Sequence, residues 1–103
     1  MAVVSMMRIA GDTDELVANM REHLMPAAEK VAGNYGGLGT IVARTPDGIL
    51  AINIWENEEG RHAMAEDPEI RSAIAAAGFP APAFDAYEIA ELRILEEALT
   101  ARV

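Results

Sequence analysis

The chain has 103 residues, which is enough for one domain with a single hydrophobic core. Its formal net charge of −9 argues against binding to nucleic acid and to an anionic membrane surface. It contains no cysteine, which excludes disulfides, thiolate nucleophiles and cysteine-based metal sites. Because no export signal is visible and no apolar run is long enough to cross a bilayer, we expect a cytoplasmic protein.

The chain begins with the pattern of a strand followed by a helix. Val3–Ile9 is rich in β-branched and other apolar residues, which predicts a strand. Asp12–Glu15 has the spacing of a capping box, and apolar residues then recur at helical spacing. Pro26 lies within this stripe and predicts a kink or break near Arg21–Met25. We expect the helix to end by Gly33–Asn34, where both residues tolerate a left-handed conformation.

Two further strands and a second helical region follow. Leu38–Arg44 and Ile49–Trp55 are apolar segments separated by Thr45–Gly48, in which proline is second and glycine is fourth. Since this order suits a type I turn, it predicts a β-hairpin. Asn57 is a candidate N-cap for the next helix. Asp67–Pro68 restarts the helix, because aspartate favours the N-cap and proline the first helical position.

The last part of the sequence has weaker signals. Gly78 is expected to stop the second helical region, and Phe79–Ala83 is a proline-rich extended connection. Asp85–Leu95 predicts the last strand, with a bulge because its apolar residues change parity along the segment. A helix over Ile89–Arg102 is the alternative interpretation.

The order β-α-β-β-α-β predicts a ferredoxin-like α+β fold, with a four-stranded antiparallel sheet and two helices on one of its faces. We expect one domain over residues 1–103, with a core at about 3–95 and a C-terminal tail at 96–103.

Both faces of the predicted sheet are apolar. On the third strand, one side carries Ile49, Ala51, Asn53 and Trp55, and the other carries Leu50, Ile52 and Ile54. Because two helices can cover only one face, the other face needs a partner. A second copy packed sheet on sheet predicts a homodimer that forms an α+β barrel. The alternative is that loops and the C-terminal tail cover part of this face.

Two segments carry a resemblance to a known family. Ile52–Glu59 is a strand that ends in Trp-Glu and runs into an acidic helix start, and Tyr35–Gly39 is a glycine-rich loop before a strand. Over about residues 3–95 the chain resembles the antibiotic biosynthesis monooxygenase-like domains of the dimeric α+β barrel superfamily. The resemblance implies a ligand pocket between sheet and helices. It also implies one of several functions: oxidation of phenolic polyketides by O₂ without a cofactor, haem degradation, isomerisation of small metabolites, or no known activity.

The resemblance to the haem-degrading branch fails at its functional positions. That branch's pocket asparagine corresponds to Met7, its second-helix tryptophan to Met64, and its haem-ligating histidine to Ala73. We therefore expect that the protein is not a haem oxygenase.

Three polar residues are candidates for catalysis. His23 flanks the apolar stripe of the first helix and can act as a base near neutral pH, or it is a partly buried histidine on a helix edge. Asn53 can orient a carbonyl or stabilise an enolate, or it can hydrogen-bond within a dimer core. Tyr87 can donate a proton to a quinone oxygen, or it lies at an interface. His62 is expected to face solvent, and its spacing from His23 does not indicate a metal site.

Candidate substrate-binding residues are Met7, Met20, Trp55 and Met64, because thioethers and an indole can line an adaptable apolar cavity. Ordinary packing of a small core is the competing interpretation of the same residues.

These observations predict a homodimer that binds a small apolar ligand and uses no cofactor and no metal. We expect it to resemble cofactor-independent monooxygenases that act on phenolic or quinone-like substrates, with isomerisation as a further reaction class. The alternative is a non-catalytic homodimer that binds a ligand or acts as a scaffold.

Overall fold

The computed structural model describes residues 1–80 and 83–93. Its strands are β1 (Val3–Ala10), β2 (Gly37–Thr45), β3 (Gly48–Trp55) and β4 (Ala83–Glu88). Its helices are α1 (Thr13–Asn19), α2 (Met25–Val31), α3 (Glu58–Ala65) and α4 (Pro68–Ala77). A π-helical segment (Met20–Leu24) joins α1 to α2, and a 3₁₀ turn (Ala32–Tyr35) follows α2.

The four strands form one antiparallel sheet in the order β2-β3-β1-β4. The ferredoxin-like α+β prediction is therefore confirmed. The register places Asn53 of β3 opposite Ser5 of β1 and opposite Thr40 of β2. Because directly opposed residues point to the same side of a sheet, these three polar side chains share one face.

The predicted interruption of the first helix is present at Met20–Leu24. The Met25 amide donates to the Met20 carbonyl, five residues back, as in a π-helix. Pro26 explains the position, because it has no N–H to donate to Glu22 and its ring crowds the preceding turn. The α-helix ends at Val31, before Gly33–Asn34 as predicted, but the predicted left-handed cap is wrong. A 3₁₀ turn follows the α-helix, and the left-handed residue that ends this turn is Gly36, at φ 72°.

The caps of the second helical region are confirmed. Asn57 accepts a hydrogen bond from the Gly60 amide at 2.7 Å. Asp67 accepts from the amide of Glu69 at 2.8 Å, and Gly78, at φ 68°, caps the C-terminal end of α4.

The predicted bounds of the last strand are wrong. It begins at Ala83 and ends at Glu88, and its pairing with β1 is continuous. Glu88 lies opposite Val3, the first residue of β1, so the strand ends where its partner begins. The segment 89–93 is neither strand nor helix. The remainder of both the predicted strand and the alternative helix, from 94 onward, lies outside the described residues, as do residues 81 and 82.

The helices pack on one face of the sheet, which we call the helix-covered face. Its buried residues in β1 and β3 are Val3, Ser5, Ile9, Ile49, Ala51 and Trp55. The opposite face, which we call the helix-free face, carries Val4, Met6, Leu50, Ile52 and Ile54, none of which is buried. Ile41 and Tyr87 on this face are 53% and 56% exposed. Within the described residues, therefore, an apolar sheet face has no cover.

Among the helices of residues 1–80 and 83–93, none has the length and apolar character that a membrane span requires.

Candidate functional site

A cleft of about 170 Å³ lies between the helix-covered face of the sheet and the helices, and we call it the sheet–helix cleft. Its floor is formed by alternate residues of β1 and β3: Ser5, Met7, Ala51, Asn53 and Trp55. This set follows directly from the register, because Ser5 is opposite Asn53 and Met7 is opposite Ala51. The floor is therefore apolar except for one hydroxyl and one amide.

Helical residues form most of the remaining wall, and Thr40 of β2 and Phe84 of β4 complete it. Met20 comes from the π-helical segment, Met25 and Ala28 come from α2, and Arg61 and Met64 come from α3. Ala28 and Ala51 both line the cleft, and their small side chains leave space that larger ones would fill. The methionines supply flexible apolar walls that can adapt to a ligand.

A second cleft of about 210 Å³ adjoins the first and extends toward β2, where Leu38 and Gly39 line it. The two clefts share the lining residues Met25, Ala28, Thr40, Asn53, Trp55 and Met64. Asn53 and Trp55 therefore line both clefts.

The two polar groups of the floor differ in their hydrogen bonding. The Trp55 indole Nε1 donates to the Ser5 hydroxyl at 3.1 Å, and Ser5 is only 2% exposed. The Asn53 side chain makes no hydrogen bond within the part of the chain that the structure describes. Its amide therefore offers both a donor and an acceptor to a molecule in the cleft.

Arg61 is a cleft residue that the sequence analysis missed. Its side chain is 14% exposed, and its Nε donates to the Glu58 carboxylate at 3.0 Å. This hydrogen bond is the main reason that the pKa of Glu58 is lowered. The Cζ atom of Arg61 also lies 4.7 Å from the centroid of the Phe84 ring. The available signal was the helical spacing of Arg61 with Met64, which puts both side chains on one face of α3.

The structure brings five of the seven predicted site residues together. Met7, Met20, Asn53, Trp55 and Met64 all line the sheet–helix cleft. Their proposed roles in binding and catalysis remain predictions, because lining a cleft is not evidence of contact with a substrate.

His23 and Tyr87 lie elsewhere. The His23 side chain is 31% exposed, its Nε2 is 3.9 Å from Glu22, and it is absent from the described lining of the cleft. Tyr87 is opposite Val4, on the helix-free face. His62 is exposed as expected, with Nε2 at 3.1 Å from Glu58. No cluster of side chains suited to a metal ion occurs within residues 1–80 and 83–93.

The architecture is similar to that of solved structures over nearly the whole chain. A proposed antibiotic biosynthesis monooxygenase from Chloroflexus aurantiacus J-10-fl is 22% identical, with a TM-score of 0.63, and the match covers 92% of this chain and 97% of that one. The chain has the fold of the antibiotic biosynthesis monooxygenases. SnoaB, a cofactor-independent oxygenase from Streptomyces nogalater, shares this monooxygenase fold at 14% identity and a TM-score of 0.63, over 92% of this chain and 96% of SnoaB.

The same fold also occurs in a dimeric ferredoxin-like protein from an uncultured marine organism. It is 11% identical, with a TM-score of 0.67 and 92% coverage of both chains. No protein-family model matches the sequence, and no curated protein matches it either. The resemblance inferred from Ile52–Glu59 and Tyr35–Gly39 is thus confirmed for the fold.

Proposed function

We propose that this protein is a homodimer whose sheet–helix cleft binds an apolar phenolic or quinone-like molecule and oxidises it as a cofactor-independent monooxygenase. The observation that carries the proposal is the composition of the cleft, which combines methionine walls, an indole and the Asn53 amide, which has no hydrogen-bond partner within residues 1–80 and 83–93. An apolar protein cavity of about 150 Å³ holds one benzene ring. A cleft of about 170 Å³ beside a second of about 210 Å³ therefore has room for a ring compound.

The proposed reaction uses O₂ and an acidic carbon of the substrate. A CH₂ group activated by a neighbouring carbonyl loses a proton, and the resulting enolate transfers electrons to O₂. One oxygen atom becomes a new carbonyl oxygen in place of the two hydrogens, and the other leaves as water. The Asn53 amide donates a hydrogen bond to the enolate oxygen, and the apolar side chains around it make this hydrogen bond stronger than it would be in bulk water.

His23 remains the proposed base. It lies in the π-helical segment beside Leu24, a cleft residue, although its own ring is outside the described lining. Tyr87 remains a proposed proton donor, and its position on the helix-free face supports an interface role instead. Of the three candidate catalytic residues, Asn53 is therefore the one with the strongest structural support, because it lines the cleft.

The test is oxidation of an anthrone under ¹⁸O₂, followed by oxygen uptake and by mass spectrometry of the product. We expect one ¹⁸O atom in the quinone product, and a rate that falls at least about tenfold in Asn53→Ala and in His23→Ala. Asn34→Ala is the matched control for Asn53→Ala, because Asn34 is exposed and is not among the described lining residues of the cleft. An unchanged rate in Asn53→Ala or His23→Ala removes that residue from the mechanism.

Non-catalytic ligand binding is the second candidate function. It is favoured by the position of His23 and Tyr87, which leaves the described cleft without a group that titrates near neutral pH. Native mass spectrometry of protein purified without denaturation distinguishes the two functions. A retained ligand together with no oxygen uptake supports binding alone, and turnover contradicts it.

The homodimer is proposed from the uncovered helix-free face. Its apolar residues on β1, β2, β3 and β4 form a surface of the kind that a second sheet can pack against. Solved structures with the same fold are described as dimeric, among them a protein of unknown function from Bacteroides fragilis NCTC 9343. A mass of twice 11.0 kDa in light scattering is the expected result, and a mass of 11.0 kDa at micromolar concentration contradicts it.

A further inference from the structure

The sheet–helix cleft contains one charged side chain among its described lining residues, that of Arg61. The other polar members, Ser5, Thr40 and Asn53, are neutral. A guanidinium that is only 14% exposed loses much of its hydration, and a cation in such a position needs anionic or aromatic partners. The partners of Arg61 therefore indicate what the cation is available to do.

Glu58 engages only part of the guanidinium. Its Oε1 atom accepts from Nε at 3.0 Å and also accepts from Nη2, so both hydrogen bonds go to a single carboxylate oxygen. Nη2 is in addition 3.1 Å from Nε2 of His62. Nη1, which carries two N–H groups, makes no hydrogen bond to the residues that the structure describes.

Phe84 fixes the guanidinium from another direction. The Cζ atom lies over the Phe84 ring at 4.7 Å from its centroid, a distance at which the cation and the ring attract each other. Phe84 also lines the cleft and is 44% exposed. Because Glu58 and Phe84 belong to different elements, they hold the guanidinium plane in place, while Nη1 has no hydrogen-bond partner among the described residues and is available to a ligand. Such preorganisation lowers the entropic cost of binding.

We propose that Nη1 of Arg61 binds an ionised oxygen of the ligand, so that the cleft selects a ring compound carrying one acidic group, a carboxylate or an acidic phenolate. This inference rests on the proposed function, because it assumes that the cleft holds a ring. Because the chain is acidic as a whole, selectivity for an anionic ligand can arise only close to Arg61. At a net charge of −9 the protein as a whole repels anions, so attraction must come from Arg61 at short range, where screening by salt is weak.

The test compares two ligands of the same shape, 2-naphthoate and its neutral counterpart 2-naphthamide, by isothermal titration calorimetry at pH 7.5. The native protein is expected to bind naphthoate at least about tenfold more tightly than naphthamide, as a charge-assisted hydrogen bond provides. In Arg61→Gln the two affinities become equal within about twofold, and Arg61→Lys restores part of the preference. 4-Nitrophenol, titrated above and below the pH at which it ionises, shows whether a phenolate is accepted as well as a carboxylate.

Arg71→Gln is the matched control. Arg71 lies on α4, its side chain is 67% exposed, and it pairs with Glu66 outside the cleft. Circular dichroism and thermal melts establish that each variant is folded before its affinities are compared.

The outcomes separate this inference from the proposed function. If the protein binds both naphthalenes without preferring the acid, or if Arg61→Gln keeps the preference, the role of Arg61 is wrong and the ring-binding cleft stands. If neither compound binds the folded native protein, the ring-binding cleft and the inference fail together. Loss of the preference in Arg71→Gln also overturns the assignment to Arg61.

Discussion

The helix-covered and helix-free faces of the sheet are both apolar, yet they differ in what interrupts them. At the centre of the helix-covered face, Ser5 and Asn53 lie opposite each other beneath the helices. At the equivalent place on the helix-free face, Met6 lies opposite Ile52, with Ile41 beside it. A face with polar groups inside an apolar wall suits an oriented small molecule. The helix-free face is apolar at its centre and carries Arg8 and Asp85 toward β4, and such a face suits another protein surface.

The largest expected effect comes from placing a charge on the helix-free face. Ile52→Arg puts a cation at the centre of the proposed dimer interface, and burial of an unpaired charge costs several kcal/mol. We expect the dimer dissociation constant to rise at least about a hundredfold, measured by sedimentation or light scattering over a concentration series. Ser72→Arg, on the exposed surface of α4, is the control. A dimer that persists unchanged in Ile52→Arg would mean that another surface forms the interface.

A smaller effect, on the free energy of unfolding, is expected when a methyl group is added to Gly60 in helix α3. A Cβ atom on Gly60 would lie 2.0 Å from the Tyr35 carbonyl oxygen, too close for any contact. Gly60→Ala is expected to lower the free energy of unfolding by about 1–3 kcal/mol, because α3 must move away from the 3₁₀ turn. Gly33→Ala is the control, since its Cβ meets no atom within 4 Å. Equal stability of the two variants in denaturant unfolding would contradict this close packing.

The smallest effect concerns pH. The Tyr35 hydroxyl donates to Asp67 Oδ2 at 2.6 Å, and this hydrogen bond is the main reason that the pKa of Asp67 is lowered from its ordinary value of 3.8. A lowered pKa in the folded state contributes stability above pH 3.8, and this contribution is lost as the pH falls through the folded-state pKa.

Tyr35→Phe removes that hydrogen bond and leaves the backbone bonds to Asp67 in place. We therefore expect the variant to melt at a lower temperature than the native protein at neutral pH, with a difference that narrows below pH 3.8. Thermal melts of both proteins across this pH range measure the difference in melting temperature. A melting difference that is constant with pH would contradict the role given to the ionised carboxylate.

Local signals predicted most of the fold. The hairpin follows from Thr45–Gly48, and the caps at Asn57 and Asp67 follow from side chains that bond amides two or three residues away. The end of β4 is different, because it depends on where β1 begins, in a distant part of the chain. The amide of Ile89 donates to the carbonyl of Ala2 at 2.8 Å, and β1 offers no further pairing beyond that point.

The candidate site was less predictable for similar reasons. A helical wheel placed His23 near the cleft, but the π-helical segment widens one turn and changes the direction of the side chains within and after it. Arg61 meets Phe84 only through the tertiary fold, across a separation of more than twenty residues. The alternation along β3 did not show which face of the sheet Asn53 occupies. The strand pairing puts Asn53 on the same face as Ser5 and Thr40, and this is the face that the helices cover.

The central claim is that the sheet–helix cleft holds a ring-shaped ligand. The fluorescence emission of Trp55 tests this claim directly, because Trp55 is the one tryptophan of the chain and lines the cleft. Titration with anthraquinone-2-carboxylate is expected to quench this emission to saturation at one ligand per chain. Ala28→Phe fills the cleft from α2 and is expected to abolish the quenching, whereas Ala18→Phe, on an exposed position of α1, leaves it intact. Quenching that does not saturate, or that persists in folded Ala28→Phe, would contradict the account.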